Sequence, residues 1–288
     1  MTEIAPSLES ISARYDAVLC DVWGCYHNGV APLPGAVAAL RAFRAKGGIV
    51  TLLTNAPRPE DAVRRQLAAM SAPEDTWDAI ASSGGAARDA LRRGEWGAKV
   101  YHIGSSDQRD EAFFAGAAVE RVRLEEAESI VCTGLRDDRT ETPADYESLL
   151  TEGALRHLPM LCANPDLVVD VGGERRYCAG SLAELYRGKN GAVTEYGKPH
   201  PQIYDYARAV LTGAAGRVIP DERILCIGDG IRTDVAGAMG EGLDCLFIAG
   251  GLAAAEVLDA AGAPDRARLD AYLAQAGFAP RWAMGLLA

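Results

Sequence analysis

The sequence predicts an α/β protein whose larger domain is a parallel β-sheet with helices packed on it, interrupted by a smaller α/β domain. Three observations point there. Short apolar runs alternate with helix-period segments over residues 15–75, the rhythm of parallel strands joined by helical crossovers. The same rhythm resumes over residues 190–252, after a long and less regular middle. Apolar runs in both stretches end in polar residues, where open α/β sheets bind their ligands.

Residues 1–14 read as a leader helix or loop, with Ser7 or Ser10 as caps. Residues 17–20 form an apolar run of strand length that stops at Asp21, and Gly24 marks a tight turn. Pro34-Gly35 opens a helix over 36–46, with Val37, Leu40 and Phe43 on one face and Gly47-Gly48 ending it. A strand over 49–53 runs into Thr54-Asn55, and a helix follows over 59–70. In the middle, a helix is predicted over 86–93 and a strand over 98–103. Strands over 129–132 and 160–162 flank a helix over 143–157. Asn164-Pro165-Asp166 is a turn, and 175–178 a short strand. Helices over 201–211 and 233–240 then alternate with strands over 223–227 and 244–248. Ala-rich stretches over 253–261 and 266–276 read as closing helices, and 281–288 carries no signal.

With 288 residues the chain is long enough for one large domain or two smaller ones. Its net charge of −11 argues against non-specific binding to nucleic acid or to an anionic membrane. The seven cysteines are scattered, with no CxxC pair, and several lie inside apolar runs, as expected in a reducing compartment. Residues 1–10 show no signal-peptide pattern and no run has the length of a membrane span. These features place the expected protein in the cytoplasm.

Four polar stations follow or adjoin predicted strand ends. The first is Asp21. The second is Thr54-Asn55. The third is Lys198, set between Gly197 and Pro199. The fourth is Gly228-Asp229, with Asp234 five residues after Asp229. Singly, each fits a cap, a turn or a surface charge; their order is the specific signal. At one sheet edge the carboxylates would repel unless a cation neutralised them, and oxygen ligands suit Mg²⁺. Thr54, the Asn55 amide and Lys198 could donate to phosphoryl oxygens, and Asp21 could attack phosphorus.

This order resembles the haloacid dehalogenase-like superfamily of phosphohydrolases, over residues 15–75 and 190–252. The family's opening Asp-x-Asp motif falls on Asp21-Val22-Trp23, its Thr motif on Thr54, its Lys on Lys198 and its Gly-Asp-x-x-x-x-Asp on Gly228 to Asp234. The resemblance implies a Rossmann-like doubly wound core over 1–78 and 189–288, with an α/β cap inserted over 79–188. A cap between the second and third motifs is similar to class IIA, the group of sugar-phosphate, nitrophenyl-phosphate and pyridoxal-phosphate phosphatases. Asn164-Pro165-Asp166, Ala179-Gly180-Ser181-Leu182 and Gly197-Lys198-Pro199 look like local signatures of that group. The implied protein is a Mg²⁺-dependent phosphatase of a small phosphorylated metabolite. Asp21 is its nucleophile and Lys198 a second catalytic residue. Thr54, Asn55 and Lys198 bind phosphate. Asp21, the Trp23 carbonyl, Asp229 and Asp234 hold the metal.

Trp23 departs from the family pattern, standing where the family has the Asp that protonates the leaving oxygen. An indole N–H does not titrate usefully, so turnover is expected to be slow. His27 is the candidate substitute acid and base. The alternative is a weakened phosphometabolite-binding or regulatory protein on the same fold. Ser105-Ser106-Asp107 and the 164–166 turn are candidate substrate contacts, and a homodimer is a further expectation.

Overall fold

The structure is a computed structural model that describes residues 2–105, 108–171 and 174–288. The chain folds as two units, one of Met1–Thr54, Arg64–Ala81 and Tyr204–Ala288 and the other of Asn55–Val63 and Ser82–Ile203.

The first unit is built on a seven-stranded sheet. Its order is Glu3–Ile4, Trp282–Met284, Asp244–Ile248, Ile224–Gly228, Ala17–Asp21, Ile49–Thr54 and Ala79–Ser82. The pairings from Glu3–Ile4 through Ile49–Thr54 are all parallel. The two central strands, Ala17–Asp21 and Ile224–Gly228, are buried at every residue, which is why they read as unbroken apolar runs. Register fixes the polar edge. Asp21 lies opposite Leu53, and Cys20 opposite Ile227, so Asp21, Thr54 and Asp229 leave the sheet at one end.

Helix Pro34–Ala45 buries Ala36, Leu40 and Phe43, as its spacing predicts. Helix Glu60–Ala69 also falls where it is expected. Ala79–Ser82, on the inserted side of residue 78 in the sequence reading, belongs to this sheet. Asp78 stitches it there, its N–H donating to Val50 O (2.8 Å) while its Oδ2 accepts from Val50 N (2.8 Å). The predicted helix over 253–261 shortens to Ala254–Val257, because Leu258 turns back to bridge Pro264.

Residues 281–288, silent in sequence, hold an edge together. Trp282–Met284 is the strand between Glu3–Ile4 and Asp244–Ile248. The Trp282 indole N–H donates to Tyr15 Oη (2.8 Å), and that hydroxyl donates to Asp244 Oδ2 (2.6 Å). Burial and the Asp244 carboxylate push the Tyr15 hydroxyl up to about 12, so it stays a donor at neutral pH.

The second unit carries a five-stranded parallel sheet in the order Val193–Glu195, Met160–Cys162, Ser129–Cys132, Lys99–Ile103 and Glu120–Arg121. Its core joins Ile103, Ile130, Leu150, Met160 and Tyr186. Val168–Val171 and Glu174–Tyr177 form an antiparallel ribbon. Helix Ala179–Gly188 escaped prediction because its first turn, Gly180-Ser181, is weak in helix propensity. Ser106 and Asp107 of the expected polar cluster lie outside the described residues. All seven cysteines are buried and none is in a disulfide. Among the described residues no helix is long and apolar enough to cross a membrane.

Replacing Trp282 with Ala removes a buried indole and strands the Tyr15 hydroxyl bond. The variant should lose about 3–5 kcal/mol of unfolding free energy, read from urea denaturation followed by circular dichroism.

Candidate active site

In the first unit the carboxyl ends of the central strands converge on a buried acidic group. Ligand atoms of Asp21, Cys25 and Asp229 all lie within 4.8 Å of one another, and all three residues are buried. Two glycines make the approach possible. Gly24, at φ +81°, brings the backbone against Asp229, and Gly251 does so from the other side; a Cβ at either would overlap the Asp229 carboxylate. Asp229 Oδ2 also accepts from Leu252 N (3.0 Å). Burial, then the charges of Asp21 and Asp229, pushes the Cys25 thiol well up, so it stays protonated beside the carboxylates. Two carboxylates sharing a buried site fit a divalent cation, which would neutralise them with oxygen ligands.

Asp234 is buried as well, and its charge also acts on the Cys25 thiol. Its Oδ2 accepts from Gly230 N (3.2 Å) and Thr233 Oγ1 (3.1 Å). It sits in a π-helical turn, Ile231–Val235, that leads into helix Ala236–Gly240. Such wide turns recur at functional sites. Gly228 is required here, since a Cβ would overlap the Asp234 side chain.

The loop after Asp21 has a fixed shape. Gly24 N donates to His27 O (2.9 Å) and His27 N to Val22 O (2.9 Å). Trp23 is 41% exposed, whereas Trp77, Trp96 and Trp282 are buried. Its ring lies over Gly29, at φ +87°, where a Cβ would overlap the indole. His27 meets it edge to face at 5.5 Å. The His27 ring is buried, and its Nδ1 accepts from Gly29 N (3.0 Å). Burial pushes its pKa down, so the imidazole is neutral at pH 7.

Thr54, partly buried, ends its strand in the first unit. Asn55 and Lys198 come together in the second, both buried. Asn55 Oδ1 accepts from Lys198 N (2.7 Å), and Asn55 Nδ2 donates to Lys198 O (3.2 Å) and Asp166 Oδ1 (2.8 Å). Both side-chain N–H bonds of Asn55 are engaged within the protein, and its amide holds the backbone of Lys198. Nearby, the buried Glu195 carboxylate pairs with Arg187 and with His200 Nε2 (2.7 Å). Burial alone would raise its pKa, but His200 and Arg187 outweigh it and hold the carboxyl below its ordinary value. Sequence reasoning missed Cys25 as a neighbour of the two aspartates, although it lies four residues past Asp21 in the same turn. Glu195 gave no signal, since a charge in a three-residue strand looks like any surface residue.

Comparison with known proteins supplies the relatives. A haloacid dehalogenase-like hydrolase model matches residues 18–118, and a HAD-hydrolase-like model matches 195–273. A haloacid dehalogenase-like hydrolase from Brucella suis 1330 superposes with a TM-score of 0.84 at 40% identity, covering 99% of this chain and 100% of that one. The ribonucleotide monophosphatase NagD of Escherichia coli K12 is 26% identical over 84% of this chain and 90% of its own. The D-glycerol 3-phosphate phosphatase of Mycobacterium tuberculosis is 28% identical over 85% of this chain and 66% of its own.

The Glu195 pairing sets a pH dependence. Its contribution to stability is present above the ordinary carboxylate pKa of about 4.3 and is lost as pH falls through the lower folded value. Glu195→Gln should therefore cost about 1–2 kcal/mol at pH 7, because Arg187 and His200 are partly exposed and screened. The gap from the unaltered protein should close at acid pH in thermal melts recorded across the range.

Proposed function

Because the chain belongs to the haloacid dehalogenase-like hydrolases, in their class IIA arrangement, we propose that it is a Mg²⁺-dependent phosphatase of a small phosphorylated metabolite. The observation that carries the reading is the buried pair Asp21 and Asp229 at adjoining strand ends. Two similar proteins named as phosphatases support the reaction class.

In this reading the Asp21 carboxylate attacks phosphorus, forming an aspartyl-phosphate as the P–O bond to the alcohol breaks. Water then cleaves the acyl phosphate and returns Asp21. Asp21, the Trp23 carbonyl, Asp229 and Asp234 would hold Mg²⁺, which would supply charge neutralisation for the carboxylates and the phosphoryl oxygens. Thr54 and Lys198 donate to those oxygens, and Asn55 serves by holding Lys198. Trp23 cannot protonate the departing alkoxide, so the chain favours acidic leaving groups. His27, beside Trp23, is the candidate to move that proton, a step that needs the imidazolium, which burial disfavours at pH 7. The niche that Gly29 provides for the Trp23 ring favours a second reading, a slow phosphometabolite-binding or regulatory protein.

Phosphate release from 4-nitrophenyl phosphate should need Mg²⁺ and vanish in Asp21→Asn. Mass spectrometry of rapidly quenched protein should find the aspartyl-phosphate. Ligand binding without that adduct would move the choice to the second reading. Trp23→Asp should raise turnover of a sugar phosphate by about 10²-fold and that of nitrophenyl phosphate much less, as expected for a restored general acid. An unchanged pH–rate profile in His27→Asn would remove His27 from the mechanism.

A further inference from the structure

Asn55, the 164–166 turn, Gly180 and Gly197-Lys198 are far apart in sequence yet meet in the second unit. Pro165 is clasped between two glycines. A Cβ on Gly180 would overlap the Pro165 carbonyl, and one on Gly197 would overlap the Pro165 ring. The Gly197 position also lies against Asn55, since a Cβ there would stand 2.7 Å from Asn55 Oδ1. Asn164 shapes the turn from within, its Oδ1 accepting from Asp166 N (3.0 Å). Asn164 is itself buried. The turn thus has a set form, and it delivers Asp166 Oδ1 to Asn55 Nδ2 at 2.8 Å.

The chemistry of that bond is directional. A carboxamide can be turned by 180° at little cost to its shape, which exchanges its donor and acceptor ends. Lys198 N must face an acceptor, and Lys198 O a donor. The Asp166 carboxylate only accepts when ionised, so it takes the NH₂ end of Asn55 and leaves Oδ1 toward Lys198 N. We propose that Asp166 is a positioning residue: by fixing the Asn55 amide it fixes the backbone of Lys198, and so the place of the Lys198 cation. The 164–166 turn is then a support for the phosphate-binding lysine and not a selector of substrate. The inference rests on the reading of Lys198 as the phosphate-binding cation given above.

Kinetics with 4-nitrophenyl phosphate and Mg²⁺, with inorganic phosphate as the inhibitor, test it on Asp166→Ala, Asp166→Asn and Lys198→Ala. A small displacement of a binding group costs rates of about 10- to 100-fold. Asp166→Ala should therefore raise the KM and the inhibition constant of phosphate by about 10-fold or more. Asp166→Asn, whose amide oxygen can accept the same bond, should recover most of that loss. The inference falls if Asp166→Ala binds phosphate like the unaltered protein, or if Asp166→Asn is as impaired as the alanine variant. Should Asp166→Ala not fold, Asn55→Asp sets two carboxylates face to face, and adding Asp166→Asn restores a donor between them. Recovery of phosphate inhibition in that double variant supports the inference, and none overturns it. Lys198→Ala with unaltered phosphate inhibition would instead remove the reading of Lys198, which separates the two failures.

Discussion

The parallel register of Ala17–Asp21 with its neighbours is the constraint on which the rest of the first unit depends. Pairing Cys20 with Ile227 and Asp21 with Leu53 fixes the height at which three chain segments leave the sheet. A shift of one residue would turn every side chain of a central strand to the opposite face and carry Asp21 away from the end of its neighbours. The aspartates at those ends are therefore delivered to one place by backbone hydrogen bonds, before any side chain interacts with another. What remains is electrostatic. Two buried carboxylates beside a protonated thiol form an acidic group whose donor set fits a divalent cation.

Glycine supplies the closeness that the charge arrangement needs. Gly24 and Gly251 let backbone reach Asp229, and Gly228 makes room for Asp234. Gly29 does a different job, giving the Trp23 ring a seat. The loop after Asp21 thus holds an aromatic group two residues past Asp21, and holds it with its own hydrogen bonds. The register that makes the acidic site does not depend on the residue at position 23.

Much of this was legible in residue order. The central strands and the helices at 34–45 and 60–69 announced themselves by apolar runs, helical spacing and terminal prolines and glycines. Asp21, Thr54 and Asp229 were legible because each directly follows or ends an apolar run. Other features were silent for physical reasons. Trp282–Met284 is three residues long and exists only because two neighbouring strands accept it. Glu195 and Cys25 take their roles from partners remote in sequence or from the folding of a turn, and composition does not record either.

The sequence by itself determined the α/β class, the polar stations and their order, because strand and helix periodicity and turn chemistry are local. Tertiary structure decided what the side chains do. The side-chain amide of Asn55 is engaged by Lys198 and Asp166, which residue order does not reveal. Asp166 was a candidate substrate contact in a turn, and in the structure it accepts from Asn55. A hydrogen-bond donor has a fixed number of protons, and which acceptors take them depends on groups brought together from 111 and 143 positions away along the chain.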